Sequence, residues 1–484
     1  MSERTVTLGI DVGTSGIKAV AVDDRGVQRL EVDRGYPLLT PRPGWTEQRP
    51  EDWWGAACDA LREIVSGLEG AKVAAVGLTG QMHGMVPLDG AGDVIRPAIL
   101  WNDQRTGDAV TEIGEAVDRA TLIRRGGNPA ITGFQLAKVV WLRRAEPEAY
   151  ARLRSVLFPK DYLGLRLTGR AVAEPSDASG SNAFDLARGV WDEEVLGALD
   201  IDLGLYPELV ASDDVVGAVT PEAAAVTGLP SGVPVVAGAG DNAAAATGLG
   251  LSSADMGLGS VSLGTSGVLF APLSEPTPDP RGRVHLFAHA DGGYYLLGVT
   301  LAAAGSLQWL HDTLFPELSF EELSSLAETS PAGANGATFQ PYLAGERTPY
   351  MDPTLRGAWR GLTLATGRAD LVRAVLEGVS FSQRDALEVM RPLAGLERVL
   401  ATGGGSRSPF WLQLLADALE LPLTQLAGAP GAAYGAALLA RRGAGGAITP
   451  QLEAVASFEP TPGTGLLEAY ERYRAWSPGP LADR

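Results

Sequence analysis

The chain has 484 residues, with 39 basic and 58 acidic side chains and a formal charge of −19. At ~150 residues per domain this is room for three domains or two large ones, and a hydrophobic fraction of 45% is ordinary for a globular protein. The acidic balance argues against nucleic acid and anionic membrane surfaces as partners, since Lys and Arg bind both. A small anion such as a nucleotide stays open, through backbone N–H groups, a metal ion or both.

In chain order, residues 1–5 carry no apolar stretch, so no signal peptide is expected. Apolar runs at 6–10 and 17–22 flank Gly13-Thr14-Ser15-Gly16 and predict a hairpin. Residues 51–68 read as a helix, with Trp54, Ala57, Leu61, Val65 and Leu68 at helical spacing. Cys58 on that helix is expected to be a buried, inert thiol. As the single cysteine, it excludes a disulfide framework and a Cys-rich zinc site. Residues 73–79 and 233–239 read as short buried strands. The small, apolar tract 233–251 is broken by Pro234, Asp241 and Asn242 and is no membrane span. The expected location is the cytoplasm.

A domain boundary is expected near 248–253, dividing 1–248 from 249–484. Runs at 256–263 and 268–270 predict a second hairpin around Gly264-Thr265-Ser266-Gly267. His285 and His289 are four apart, but 284–297 reads as strand, so they are not taken as a metal pair. Residues 368–390 read as a helix. The run 399–401 leads into Gly403-Gly404-Gly405-Ser406-Arg407-Ser408 and a helix over 408–419, with Ser408 as cap and Pro409 in the first turn. Residues 478–484 are expected to fray. Strands and helices alternating over this length predict an α/β fold.

The two hairpins carry the same Gly-Thr-Ser-Gly string at an offset of 251 residues, close to half the chain. They suggest two related domains facing a cleft. Gly13 and Gly16 let backbone N–H groups approach phosphates closely, Thr14 and Ser15 add hydroxyls, and Asp11 at the strand end suits Mg²⁺, directly or through its waters. A plain hairpin turn explains the same residues equally well. A Walker A loop is excluded, because none of the four lysines (Lys18, Lys72, Lys138, Lys160) follows a glycine. A dinucleotide fingerprint is excluded too, since Gly13-Thr14-Ser15-Gly16 has the wrong spacing and enters a strand. The Gly403–Ser408 turn can admit a phosphate or a flat ligand against backbone, or simply connect a strand to a helix.

On these motifs the sequence resembles the FGGY carbohydrate kinases over residues 6–442. Gly9–Gly16 is similar to the first phosphate motif of the sugar-kinase/actin superfamily, 263–267 to the second, and 402–408 to its adenosine motif. Thr79-Gly80-Gln81-Met82-His83-Gly84 resembles the sugar signature of the xylulokinase branch. Leu100-Trp101-Asn102-Asp103, Phe158-Pro159-Lys160-Asp161-Tyr162 and residues 341–349 also resemble that branch. One departure is Gly238-Ala239-Gly240-Asp241-Asn242, where the family pattern has glycine at 239.

The resemblance implies two actin-like ATPase (ribonuclease H-like) α/β domains flanking a deep catalytic cleft that closes around ATP. It implies transfer of phosphate from ATP to the C5 hydroxyl of D-xylulose, giving D-xylulose 5-phosphate and ADP. Asp241 would be the general base and Asp11 would hold Mg²⁺. Gly13, Thr14, Ser15, Gly264, Thr265 and Ser266 would contact phosphates, and Gly403 and Gly404 the adenosine. Met82 and His83 would bind the sugar, with Gln81, Trp101, Asn102, Asp103 and Asn242 as further candidates. Surface-turn chemistry explains Asn102 and Asp103 almost as well. Homodimers occur in the family, which leaves a homodimer open as the assembly; the sequence does not give the oligomeric state. The alternatives are an FGGY kinase for another pentulose, a polyol or gluconate, and an actin-like ATPase that uses nucleotide as a switch.

Overall fold

A computed structural model describes residues 5–479 and 481. Residues 1–4 and most of 478–484, where leader and fraying expectations fall, lie outside the described residues. Two compact units emerge. The first gathers the chain up to Ser253 with Phe287–Tyr294 and Pro430–Gln451, and the second gathers Ala254–Leu286, Tyr295–Ala429 and the chain from Leu452. Each unit is thus built from three segments, whereas the sequence suggests a single division at 248/249.

The first unit is built on six strands in the order Val215–Ala218, Pro234–Gly240, Lys72–Gly80, Thr5–Val12, Gly16–Asp23 and Gln28–Gly35. Thr5–Val12 pairs antiparallel with Gly16–Asp23 and parallel with Lys72–Gly80. Strand alternation sends Val6, Leu8, Ile10 and Val12 to one face, into a core with Trp53, Ala57, Leu61 and Ile64 of the helix Pro50–Gly67. The stripe of this helix centres on Trp53 rather than Trp54, which is half-buried with the Arg166 guanidinium 4.9 Å over its ring. Cys58 is buried on the helix, and burial pushes its thiol up to about 11.

The opposite face carries Gly9 and Gly77, and there the helix Ala432–Gly443 lies against the sheet. A Cβ at Gly9 would stand 1.8 Å from the Ala433 carbonyl oxygen, and one at Gly77 2.0 Å from that of Ala436. Only glycine permits this approach of helix backbone to strand backbone.

The second unit repeats the plan. Its sheet includes, in order, Gly267–Leu273, Leu258–Leu263, Arg398–Thr402, Leu423–Leu426 and Ala454–Phe458. Leu258–Leu263 pairs antiparallel with Gly267–Leu273 and parallel with Arg398–Thr402, as Thr5–Val12 does with its neighbours. The Gly-Thr-Ser-Gly repeat therefore marks equivalent turns in two sheets that share this hairpin and its parallel neighbour. The helix Arg368–Met390 matches its expected bounds, and in Pro409–Leu419 the Ser408 hydroxyl accepts from the Trp411 N–H at 3.2 Å, capping the first turn. Among the described residues no helix is long and apolar enough to cross a membrane.

Candidate active site

Thr5–Val12, Lys72–Gly80 and Pro234–Gly240 run parallel, so their carboxyl ends finish together, where open α/β sheets receive ligands. Asp11 is in register with Thr79, which on its other side is in register with Ala239, while Gly240 faces Gly80. The fold thus brings Asp11, Gln81-Met82-His83 and Asp241-Asn242 to one edge of the first unit. The kink that delivers Asp241 rests on Gly238. Its φ is +77°, the register shifts beside it, and a Cβ there would lie 1.6 Å from the Leu78 carbonyl oxygen. Ala239 is buried in its strand without positive φ, so the methyl at the departing position is accommodated.

Asp241 opens the helix Asp241–Gly248, and its Oδ1 accepts from the Asn242 backbone N–H at 2.8 Å and side-chain amide at 3.0 Å. Burial pushes its carboxyl up to about 7. The charge of Asp11 adds to the rise, and the Asn242 N–H opposes it. Burial also lifts Asp11 to about 6, against the pull of Lys18. Asp11 Oδ1 is buried with no hydrogen-bond partner. No group of three or more His, Cys, Asp or Glu side chains forms a metal cage among the described residues. An orphaned carboxylate oxygen without a cage suits Mg²⁺, which takes one or two carboxylates and completes its shell with phosphate and water.

Met82 is buried, its Sδ accepting from the Asn242 side-chain amide at 3.6 Å, and it packs where a Cβ on Gly240 would fall. His83 sits at φ +68°, its ring stacked on Phe134 at 4.5 Å and its Nδ1 2.8 Å from the Gly180 carbonyl. To serve that carbonyl Nδ1 must carry the proton, which makes Nε2 the acceptor of the neutral ring. Lys138, unflagged by the sequence, donates to the His83 and Gly133 carbonyls at 2.6 and 2.5 Å and holds the His83 turn. Burial brings its ammonium down to about 7.

In the first hairpin Gly13 N–H donates to Gly16 C=O at 3.0 Å, leaving Thr14-Ser15 as a two-residue turn. Tyr36 OH donates to the Gly13 carbonyl, and Gln48 donates to that of Thr14 at 2.7 Å. Gln81 is engaged here too. Its amide donates to Gln48 Oε1 at 2.9 Å, and its Oε1 accepts from Thr14 Oγ1 at 3.2 Å. Both ends of the Gln81 amide are thus engaged by Gln48 and the Thr14-Ser15 turn. Trp101, 37% exposed, donates its indole N–H to Thr14 Oγ1 at 3.0 Å. Asn102 is half-buried and accepts from Thr46 Oγ1 at 2.7 Å. Asp103 departs from its expected role as a sugar ligand. It is 0% exposed, accepts from Thr46 N–H at 2.6 Å and is ion-paired to Arg105 at 2.7 Å. Both of its oxygens are taken.

In the second unit, Gly264 C=O accepts from Ala304 N–H at 2.8 Å and Thr265 C=O from Ala303 N–H at 2.9 Å, so the turn's carbonyls are tied to the start of the helix Ala304–Leu314. Thr265 is exposed and Ser266 half-buried. Gly403 and Gly404 are exposed. Gly403 has φ +87°, and a Cβ on it would lie 2.6 Å from Leu263 C, so this turn abuts the Gly264–Ser266 turn.

The sequence also missed a buried ionic cluster beneath Asp241. Lys160 Nζ lies 2.5 Å from Asp161, 3.5 Å from Glu174 and 3.8 Å from Asp177, all buried. Burial opposes the Lys160 charge, but these three carboxyls hold its ammonium above the usual range. Its signal in the sequence is a Lys-Asp pair opening the mostly apolar helix Pro159–Thr168.

Family models for the N-terminal and C-terminal domains of the FGGY family of carbohydrate kinases match residues 6–248 and 259–444. Xylulose kinase of Lactococcus lactis subsp. lactis (strain IL1403) is 39% identical, covering 98% of this chain and 96% of that protein. Xylulose kinase of Bacillus subtilis (strain 168) is 39% identical over 90% of this chain and 88% of its own. The crystal structure of xylulose kinase from Rhodospirillum rubrum superposes with a TM-score of 0.91 at 31% identity, over 97% of each chain. With both halves matched, a shared two-unit α/β fold and relatives similar along nearly the whole length, the chain belongs to the FGGY family of carbohydrate kinases.

Proposed function

We propose that this chain phosphorylates D-xylulose at its C5 hydroxyl with ATP, giving D-xylulose 5-phosphate and ADP. The observation that carries the reading is Asp241, a carboxyl raised to about 7, at the strand end beside Asp11, Met82, His83 and Asn242. The names of the relatives supply the sugar. A base titrating near neutrality suits the removal of a hydroxyl proton in the transition state.

In the reaction the C5 oxygen bonds to the γ-phosphorus, the bond from that phosphorus to the ADP oxygen breaks, and the hydroxyl proton passes to Asp241. The family's chemistry makes ATP the co-substrate. Asp11 is the residue to hold Mg²⁺, which when bound neutralises phosphate charge. Gly13, Thr14 and Ser15 of the first unit, and Gly264, Thr265, Ser266, Gly403 and Gly404 of the second, are assigned to the nucleotide. Met82, His83 and Asn242 are assigned to the sugar, with Trp101 and Asn102 at its margin.

A coupled ADP-release assay over D-xylulose, other pentuloses, glycerol and gluconate tests the reading. D-xylulose should give the highest kcat/KM. A higher value for another substrate overturns the specificity, and sugar-independent ATP turnover throughout overturns the kinase reading.

A further inference from the structure

Asp241 follows directly on Gly240, and beyond its strand pairing Gly240 is tied down from another part of the chain. Its N–H donates to Ser176 Oγ at 3.0 Å. That hydroxyl is buried and donates onward to Glu174 Oε1 at 2.8 Å. A hydroxyl that both accepts and donates has its rotor fixed. Glu174 is fixed in turn. It also accepts from the N–H groups of Ser176 and Asp177 at 2.8 and 2.9 Å and from Ser212 Oγ at 2.8 Å, and Lys160 stands 3.5 Å away. Lys160 also faces Asp161 and Asp177, and its Cβ lies against Gly80, which immediately precedes Gln81-Met82-His83.

Burying four ionisable groups is a weak source of stability, because desolvation offsets the attraction. What the cluster does supply is a defined geometry at one corner. We propose that Ser176, anchored by Glu174 and Lys160, is a positioning residue that sets the strand-to-helix corner at Gly240 and thereby aims the Asp241 carboxylate at the sugar hydroxyl. This rests on the reading of Asp241 as the base. It gives a role to the Phe158–Tyr162 segment, whose Lys160 and Asp161 lie inside the fold and away from solvent.

The test compares four variants of the full chain, Asp241→Asn among them. Ser176→Ala removes the acceptor for Gly240 and the donor to Glu174. A small misplacement of a reacting group lowers turnover on the order of 10- to 100-fold, so kcat should fall by that factor with sugar KM and ATP affinity unchanged. Ser176→Cys has nearly the same shape and accepts only weakly, and should give an intermediate kcat. Ser212→Ala also strips a hydrogen bond from Glu174 but does not touch Gly240, and should lose thermal stability while keeping kcat.

Equal kcat losses in Ser176→Ala and Ser212→Ala would reduce the network to a structural one and overturn the proposal. So would wild-type kcat in Ser176→Ala alongside an inactive Asp241→Asn. Full turnover in Asp241→Asn would sink the base reading itself and this proposal with it, and that single variant tells the two failures apart.

Discussion

Asp11 lies near the end of one strand and Asp241 directly follows another, the two strands flanking a third, and the charge of Asp11 helps lift the Asp241 carboxyl to about 7. Both acids are held above the ordinary carboxylate range of 3.8, chiefly by burial. A base must be ionised to work, so kcat/KM for the sugar should rise with pH along a limb centred near 7. A pH–rate profile that is flat between about 5 and 8 contradicts this assignment.

The same shifts act on stability with the opposite sense. A carboxyl whose folded value lies above its unfolded one binds its proton more tightly in the folded state. Its contribution is complete below pH 3.8 and is lost as pH rises through the folded values of about 6 and 7. In nucleotide-free, metal-free protein, Asp11→Asn should therefore gain in melting temperature relative to the parent as pH is raised from 5 to 8. A constant difference across that range would refute the assignment.

Asp241→Asn keeps the shape of the side chain and removes the base. Turnover should drop by about 10²–10⁴-fold while ATP binding, followed by calorimetry, persists. Loss of ATP affinity in step with turnover would place Asp241 in nucleotide binding instead.

Gly180→Ala tests the His83 assignment without altering a polar group. The added Cβ would stand 2.4 Å from His83 Nδ1 and displace the ring from the Gly180 carbonyl. If His83 binds the sugar, the sugar KM should rise by about 3- to 10-fold, the worth of one hydrogen bond, with the ATP KM unchanged. An unaltered sugar KM rules out the ring as a ligand.

Asp103→Asn separates a buried ion pair from a sugar contact. Removing one partner of a buried pair costs about 3–5 kcal/mol, so the melting temperature should fall steeply. The sugar KM of the folded fraction should not change. A raised KM at intact stability would restore Asp103 to the sugar site.

Gly9→Ala probes the close packing of the Ala432–Gly443 helix. Its Cβ would meet the Ala433 carbonyl at 1.8 Å, and overpacking of this kind destabilises by about 1–3 kcal/mol or more. Wild-type thermal stability would mean that the helix withdraws without penalty.

The sequence by itself determined local structure: the two Gly-Thr-Ser-Gly turns and the Ser408 cap. Each depends on hydrogen bonds or conformations a few residues apart, so residue type and spacing suffice. Only the tertiary structure decided the allocation of polar groups among distant segments. Gln81 and Asp103 carry the same chemistry as sugar ligands. Gln48, 33 residues away, claims the one, and Arg105 and Thr46 claim the other. The glycines at 9 and 77 make sense only against a helix more than 350 residues later in the chain, and Ser176 matters to Asp241 through one hydrogen bond across 64 residues. Burial removes water as the alternative partner, so each buried polar group must find its match inside the fold. Which match it finds depends on how the strands and helices pack, and no local pattern records that.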